Sequence, residues 1–96
     1  MAGKLVVIDA GHGGCDPGAV SCGMMEKDVA LRLALAAAKQ MRAHGWRVAL
    51  TRESDRTVSI AARVRAARAL RPTLFLSIHL NAGPETAQGL EAYVRE

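Results

Sequence analysis

Aromatic side chains are nearly missing from this chain: one Trp, one Tyr and one Phe among 96 residues, 3% of the total. An interior built without them must be filled by Ala, Leu and Val, which suits helices packed on a small sheet rather than an aromatic-rich binding module. The same scarcity counts against a platform for single-stranded nucleic acid, which interleaves aromatics with its basic residues. Cysteine is scarce too. Cys15 and Cys22 lie in one loop and cannot make the disulfide framework of a small secreted domain, although a local bridge between them stays open. No apolar stretch is both long enough and free enough of charge to span a bilayer. Met1 to Lys4 lead straight into a strand-like segment without a secretory leader, so the chain as written is expected to be made as a soluble protein.

What is present fits one small domain over residues 1–96. Half of the residues are apolar, which argues against disorder. The formal net charge is +4, and eight of the basic side chains fall between Arg42 and Arg71. Such a run suits an anionic partner, and it equally suits a solvated helix face.

The apolar run Leu5–Ile8 reads as a strand buried on both faces, followed by a Gly-rich loop over 10–26. A helix is expected from about Asp28 to Ala43, with Val29, Leu33, Ala37 and Met41 inward and Gly45 closing it. His44 then acts at the helix C-terminus and not as a ligand. Arg47–Thr51 reads as a second strand. Ser59 is expected to cap a helix to about Leu70, with Ile60, Val64 and Ala67 buried and Arg63, Arg65, Arg68 and Arg71 around the rest. Pro72 stops that helix. Leu74–Ile78 is a third buried strand, residues 81–84 a turn, and Leu90–Val94 a one-faced strand. The order β-α-β-α-β-β predicts an α/β layer fold with a mostly parallel sheet flanked by helices.

The stretch VVIDAGHGGCDPGA asks what its glycine loop serves. The dinucleotide fingerprint fails, because Asp16 stands where the third glycine belongs, and a Walker lysine is absent. A metal fits better. Sites in open α/β sheets lie beyond the carboxyl ends of parallel strands. His12 follows the first strand, His79 follows the third, and Glu26 stands at the mouth of the first helix. Two His and one Glu with a water in the fourth position is the ligand set of an open catalytic zinc site, where the water's pKa falls to about 7. Taken singly, each residue has an ordinary structural use, and only their joint placement points to a metal. A closed site through Cys15, Cys22 and His12 is disfavoured by the spacing of the two cysteines.

The segments VVIDAGHGGCDPGA, MEKDVAL, VALTRESD, VSIAARV, LFLSIHLNA and GLEAYV together resemble the zinc-dependent N-acetylmuramoyl-L-alanine amidases, in order and over nearly the whole chain. The resemblance implies Zn2+ held by His12, Glu26 and His79, with peptidoglycan as substrate and the cell envelope as the place of action, a phage lysin included. No nucleic acid and no membrane span are expected. It also implies that these residues are the N-terminal half of a larger catalytic domain, whose remainder carries the general-base glutamate. Glu91 matches a strand position instead, and Glu85 and Glu96 match no role. Asp9 and Asn81 are candidates for orienting the ligands. Self-association through an uncovered sheet edge is a further expectation. Two other functions stand beside the amidase: a zinc-holding, non-catalytic wall-binding remnant that lacks the base, and a nucleotide-binding module, which Asp16 counts against.

Overall fold

Val6, Val7 and Ile8 are at most 1% exposed, because the strand that carries them has a neighbour on each side and a helix above one face. The structure, a computed structural model, describes residues 3–21, 23–81 and 89–95, with Ser21, Asn81 and 89–95 described as backbone alone. Strand β1 (Leu5–Ala10) pairs in parallel with β4 (Arg47–Leu50) and with β5 (Leu74–Asn81), and β5 pairs antiparallel with β6 (Gly89–Arg95). The sheet order is β4-β1-β5-β6. A small hairpin, β2 (Val20–Ser21) with β3 (Met24–Met25), sits inside the segment expected to be an unstructured loop.

Helix α1 (Glu26–Ala43) starts two residues before the sequence suggests. Its N-cap, Met25, offers no side-chain cap. The loop backbone serves instead: Pro17 and Ala19 accept from the Lys27 and Glu26 amides at 3.0 and 2.8 Å, which satisfies two donors that a helix start otherwise leaves open. The inward face also differs from expectation. Glu26, Ala30, Ala34 and Ala38, one i,i+4 row, are the buried residues, while Leu33, Ala37 and Met41 pack beside them and Leu35 is exposed. Small side chains let the helix lie close on Val6, Ile8, Ala10 and Ile78.

Helix α2 (Ile60–Leu70) begins where expected, with the Ser59 side chain accepting from the Ala62 amide at 3.0 Å. It ends at Arg71, which adopts the left-handed conformation (φ 46°) ahead of Pro72. Its orientation overturns the expected face. Ile60 is 81% and Val64 43% exposed, whereas Arg63, assigned to the solvated side, is the buried residue. The reason is an acid on the sheet. Even-numbered positions of β1 join the α1 core, and the odd-numbered Asp9 faces α2, where Arg63 reaches it. Strand β5 runs three residues beyond its expected end, so His79 lies within the strand, opposite Glu91 of β6. Asn81, expected to open a turn, instead ends β5. The rest of that turn (82–84), Glu85, Glu96 and Cys22 lie outside the described residues, as do the faces of Leu90–Val94.

Candidate metal centre

Past the last residue of β1 the chain must turn at once, and two contacts fix how. The Gly11 amide donates to the Ile78 carbonyl at 3.0 Å, and a Cβ at Gly11 would stand 2.5 Å from the His79 ring. His12 follows with φ 64°, a left-handed conformation that a non-glycine residue adopts at a cost of about 1–3 kcal/mol. Gly18 closes the other side, where a Cβ would come within 2.6 Å of the His12 ring and 2.8 Å of Glu26.

Two buried arginines hold this turn from behind. Arg52, 1% exposed, donates to the carbonyls of Ala10, Gly11, Lys27 and Ser54 at 2.9–3.1 Å. Burial draws its pKa down. Arg63 donates to the carbonyls of Ala10 and His12, both at 2.7 Å, and to Asp9. Neither arginine stands out in the sequence by spacing. The available signal was a charge balance: an aspartate ending a buried strand needs a cation, and a glycine turn carries more carbonyls than its own amides can serve.

His12, Glu26 and His79 offer one ligand atom each, all within 4.8 Å of one another. His12 Nε2 and His79 Nδ1 face the same Glu26 oxygen, Oε2, at 2.9 and 3.2 Å. The two rings meet edge to face, 5.2 Å apart and at 89°. Glu26 is fixed by the amides of Ala19 on Oε1 (3.0 Å) and Leu80 on Oε2 (3.1 Å). Burial pushes its carboxyl up, but those amides and the two histidines outweigh it, and the net shift is downward.

Each histidine has a second partner on its far side. His12 Nδ1 lies 2.7 Å from Asp16 Oδ2, and Asp16 Oδ1 accepts the Gly18 amide at 3.0 Å. The hydrogen bond from His12, ahead of that amide, holds the Asp16 carboxyl below its usual range. Asp16 was read from the sequence only as an obstacle to phosphate. His79 Nε2 lies 3.0 Å from Ser77 Oγ, which donates to Asp9 Oδ2 at 2.7 Å. Asp9 thus reaches a histidine through Ser77, and it also accepts from Thr51 Oγ1. The Asn81 side chain lies outside the described residues. Cys15 is a free, exposed thiol and no member of the group.

A groove of about 700 Å3 runs from His12 and His79 along α2, past Val58, Ile60, Val64 and Phe75. No helix among the described residues is long and apolar enough to cross a membrane.

A family model described as N-acetylmuramoyl-L-alanine amidase matches residues 6–96. The N-acetylmuramoyl-L-alanine amidase CwlM of Bacillus licheniformis is 43% identical over 91 residues, 93% of this chain and 35% of that protein. An endolysin of Bacillus phage SPP1 is 42% identical over 92 residues, 94% of this chain and 33% of its own. Among solved structures, the amidase AmiC2 of Nostoc punctiforme superposes with a TM-score of 0.81 at 42% identity, over 85% of this chain and 46% of that one. The chain spans less than half of the length of each of these relatives.

Proposed function

We propose, on the premise that this chain belongs to the N-acetylmuramoyl-L-alanine amidase family, that it forms the zinc-holding part of an enzyme that hydrolyses the amide between N-acetylmuramic acid and L-alanine in peptidoglycan. The observation that carries the reading is the convergence of three atoms able to ligate a metal, all within 4.8 Å of one another. His12 and His79 aim ring nitrogens at one Glu26 oxygen while their other nitrogens are engaged by Asp16 and Ser77. With the ring protons on those engaged nitrogens, the lone pairs that face Glu26 repel its charge unless a cation lies among them. A borderline-soft divalent ion with two imidazoles and one carboxylate fits that donor set, and zinc is the usual occupant.

Zinc supplies a Lewis acid that polarises an amide carbonyl and acidifies water. The chain's own residues do the rest of what is described. Glu26 contributes negative charge held by two amides, and the groove beside the histidines offers an apolar wall to the substrate. Asp9 and Asp16 are bound by donors and Glu26 is turned into the triad, so none of these three is placed as a general base. Where no base is supplied, hydrolysis is slower by about 100- to 10,000-fold. The relatives bearing the amidase name favour hydrolysis over wall binding alone. The site of action on this reading is the cell envelope, which the presence of an endolysin of Bacillus phage SPP1 among the relatives supports.

Dye release from purified sacculi tests this reading, with chelator and with zinc restored. Slow release that stops on chelation and returns with zinc is expected. Release indifferent to chelator, or zinc content far below one per chain, overturns it.

A further inference from the structure

The two histidines are supported in unlike ways, and the directions of their hydrogen bonds can be worked out. Asp9 faces the Arg63 guanidinium and accepts the Thr51 hydroxyl on the same oxygen, Oδ1. Its other oxygen, Oδ2, lies 2.7 Å from Ser77 Oγ. A carboxylate in that setting only accepts, so Ser77 spends its one hydroxyl proton on Asp9. The Ser77 oxygen then accepts from His79, which puts the ring proton on Nε2 and turns Nδ1 toward Glu26. At His12 the order is reversed. Asp16 accepts from Nδ1–H, with its other oxygen taken by the Gly18 amide, and Nε2 turns toward Glu26.

We propose that Asp16 and Ser77 are positioning residues that lock His12 and His79 in opposite tautomers, so that His12 presents Nε2 and His79 presents Nδ1 to the same metal ion. This rests on the metal reading above. The geometry makes the split useful. The rings stand perpendicular, one entering from a tight turn and the other from a strand, and as they are placed it is unlike nitrogens, His12 Nε2 and His79 Nδ1, that reach the same point beside Glu26. Arg63 joins the two supports, donating to Asp9 behind His79 and to the carbonyl of His12 itself.

Nitrogen-15 spectra of the histidine rings in the full chain read the tautomers directly. The metal-free protein at mildly alkaline pH is expected to show His12 protonated on Nδ1 and His79 on Nε2. Loaded with cadmium-113 as a probe, it is expected to show coupling to His12 Nε2 and His79 Nδ1. Ser77→Ala is expected to release the His79 tautomer and weaken zinc binding about 10- to 100-fold, leaving the His12 tautomer as an internal control for folding. Ser77→Thr keeps the hydroxyl and is expected to restore both. Asp16→Asn keeps an acceptor oxygen and should lose less zinc affinity than Asp16→Ala. Like-named nitrogens coupled in both histidines, or an unchanged His79 tautomer in Ser77→Ala, overturns the proposal. Correct tautomers with no cadmium coupling at all would overturn the metal reading and leave the assignment of Asp16 and Ser77 standing.

Discussion

Arg63 and Asp9, 54 positions apart in the chain, form a buried ion pair whose side chains are 10% and 7% exposed. Removing one member of such a pair strands the other in low dielectric and costs about 3–5 kcal/mol. Arg63→Met is therefore expected to lower the urea midpoint sharply. Combining it with Asp9→Asn should recover part of the loss, since the orphaned charge is then gone. A double variant no better than the single one would mean that the carbonyl contacts of Arg63, and not Asp9, carry its contribution.

Glu26→Gln separates a ligand from a helix-end charge. As a ligand, Glu26 contributes a formal charge that the amide lacks, and zinc affinity should collapse in titration against a competing chelator. As an ordinary acid in the first turn of α1, it is worth about 0.3–1 kcal/mol, seen only as a small drop in Tm. Retained zinc affinity with a slightly earlier melt would assign it the second role.

Lys27 and Asp55 form an ion pair at 2.9 Å, and Asp55 also accepts the Gly14 amide of the glycine turn. Lys27, then that amide, lower the Asp55 carboxyl from its ordinary 3.8. A lowered acid stabilises the fold fully above its unfolded value, and that stability is lost as pH falls through the folded one. Asp55, in turn, raises the Lys27 amine from 10.5, so this half is complete below 10.5 and fades as pH rises beyond it. Asp55→Asn should flatten both limbs of a plot of stability against pH, with the effect shrinking in high salt.

Ile60, Val64 and Leu70 are 81%, 43% and 46% exposed, and among the described strands β4 and β6 end the sheet. Uncovered edges and apolar faces pair with other chains. Light scattering at micromolar concentration is expected to show self-association, and Ile60→Glu with Val64→Glu to reduce it. A monomer at every concentration tested would rule this out.

The layer order was legible because Leu5–Ile8 is apolar without interruption and each helix carries a stop, at Gly45 and at Pro72. That His12, Glu26 and His79 would meet was legible because strand direction sends the carboxyl ends of parallel strands to one side of the sheet. The orientation of α2 was not. Counting apolar positions puts Ile60 and Val64 inward, but one buried carboxylate on the facing strand outweighs two aliphatic side chains. The start of α1 was hidden for another reason: its cap is made by loop carbonyls, and backbone groups leave no mark in residue identity. Asp16 and Ser77 were overlooked because a supporting hydrogen bond needs only one acceptor at the right angle, which no spacing rule encodes.

Glu26 heads the same helical row as Ala30, Ala34 and Ala38. Those three methyl groups therefore act as a shim: their thickness sets how high α1 rides above the sheet, and so how far the Glu26 carboxylate stands from His79. A bulkier residue at Ala34, two turns from any ligand, would tilt the helix and open the triad without touching it. The spacing of the His12, Glu26 and His79 side chains is calibrated by the smallest side chains of the helix, and their tolerance for change is set by positions that carry no chemistry at all.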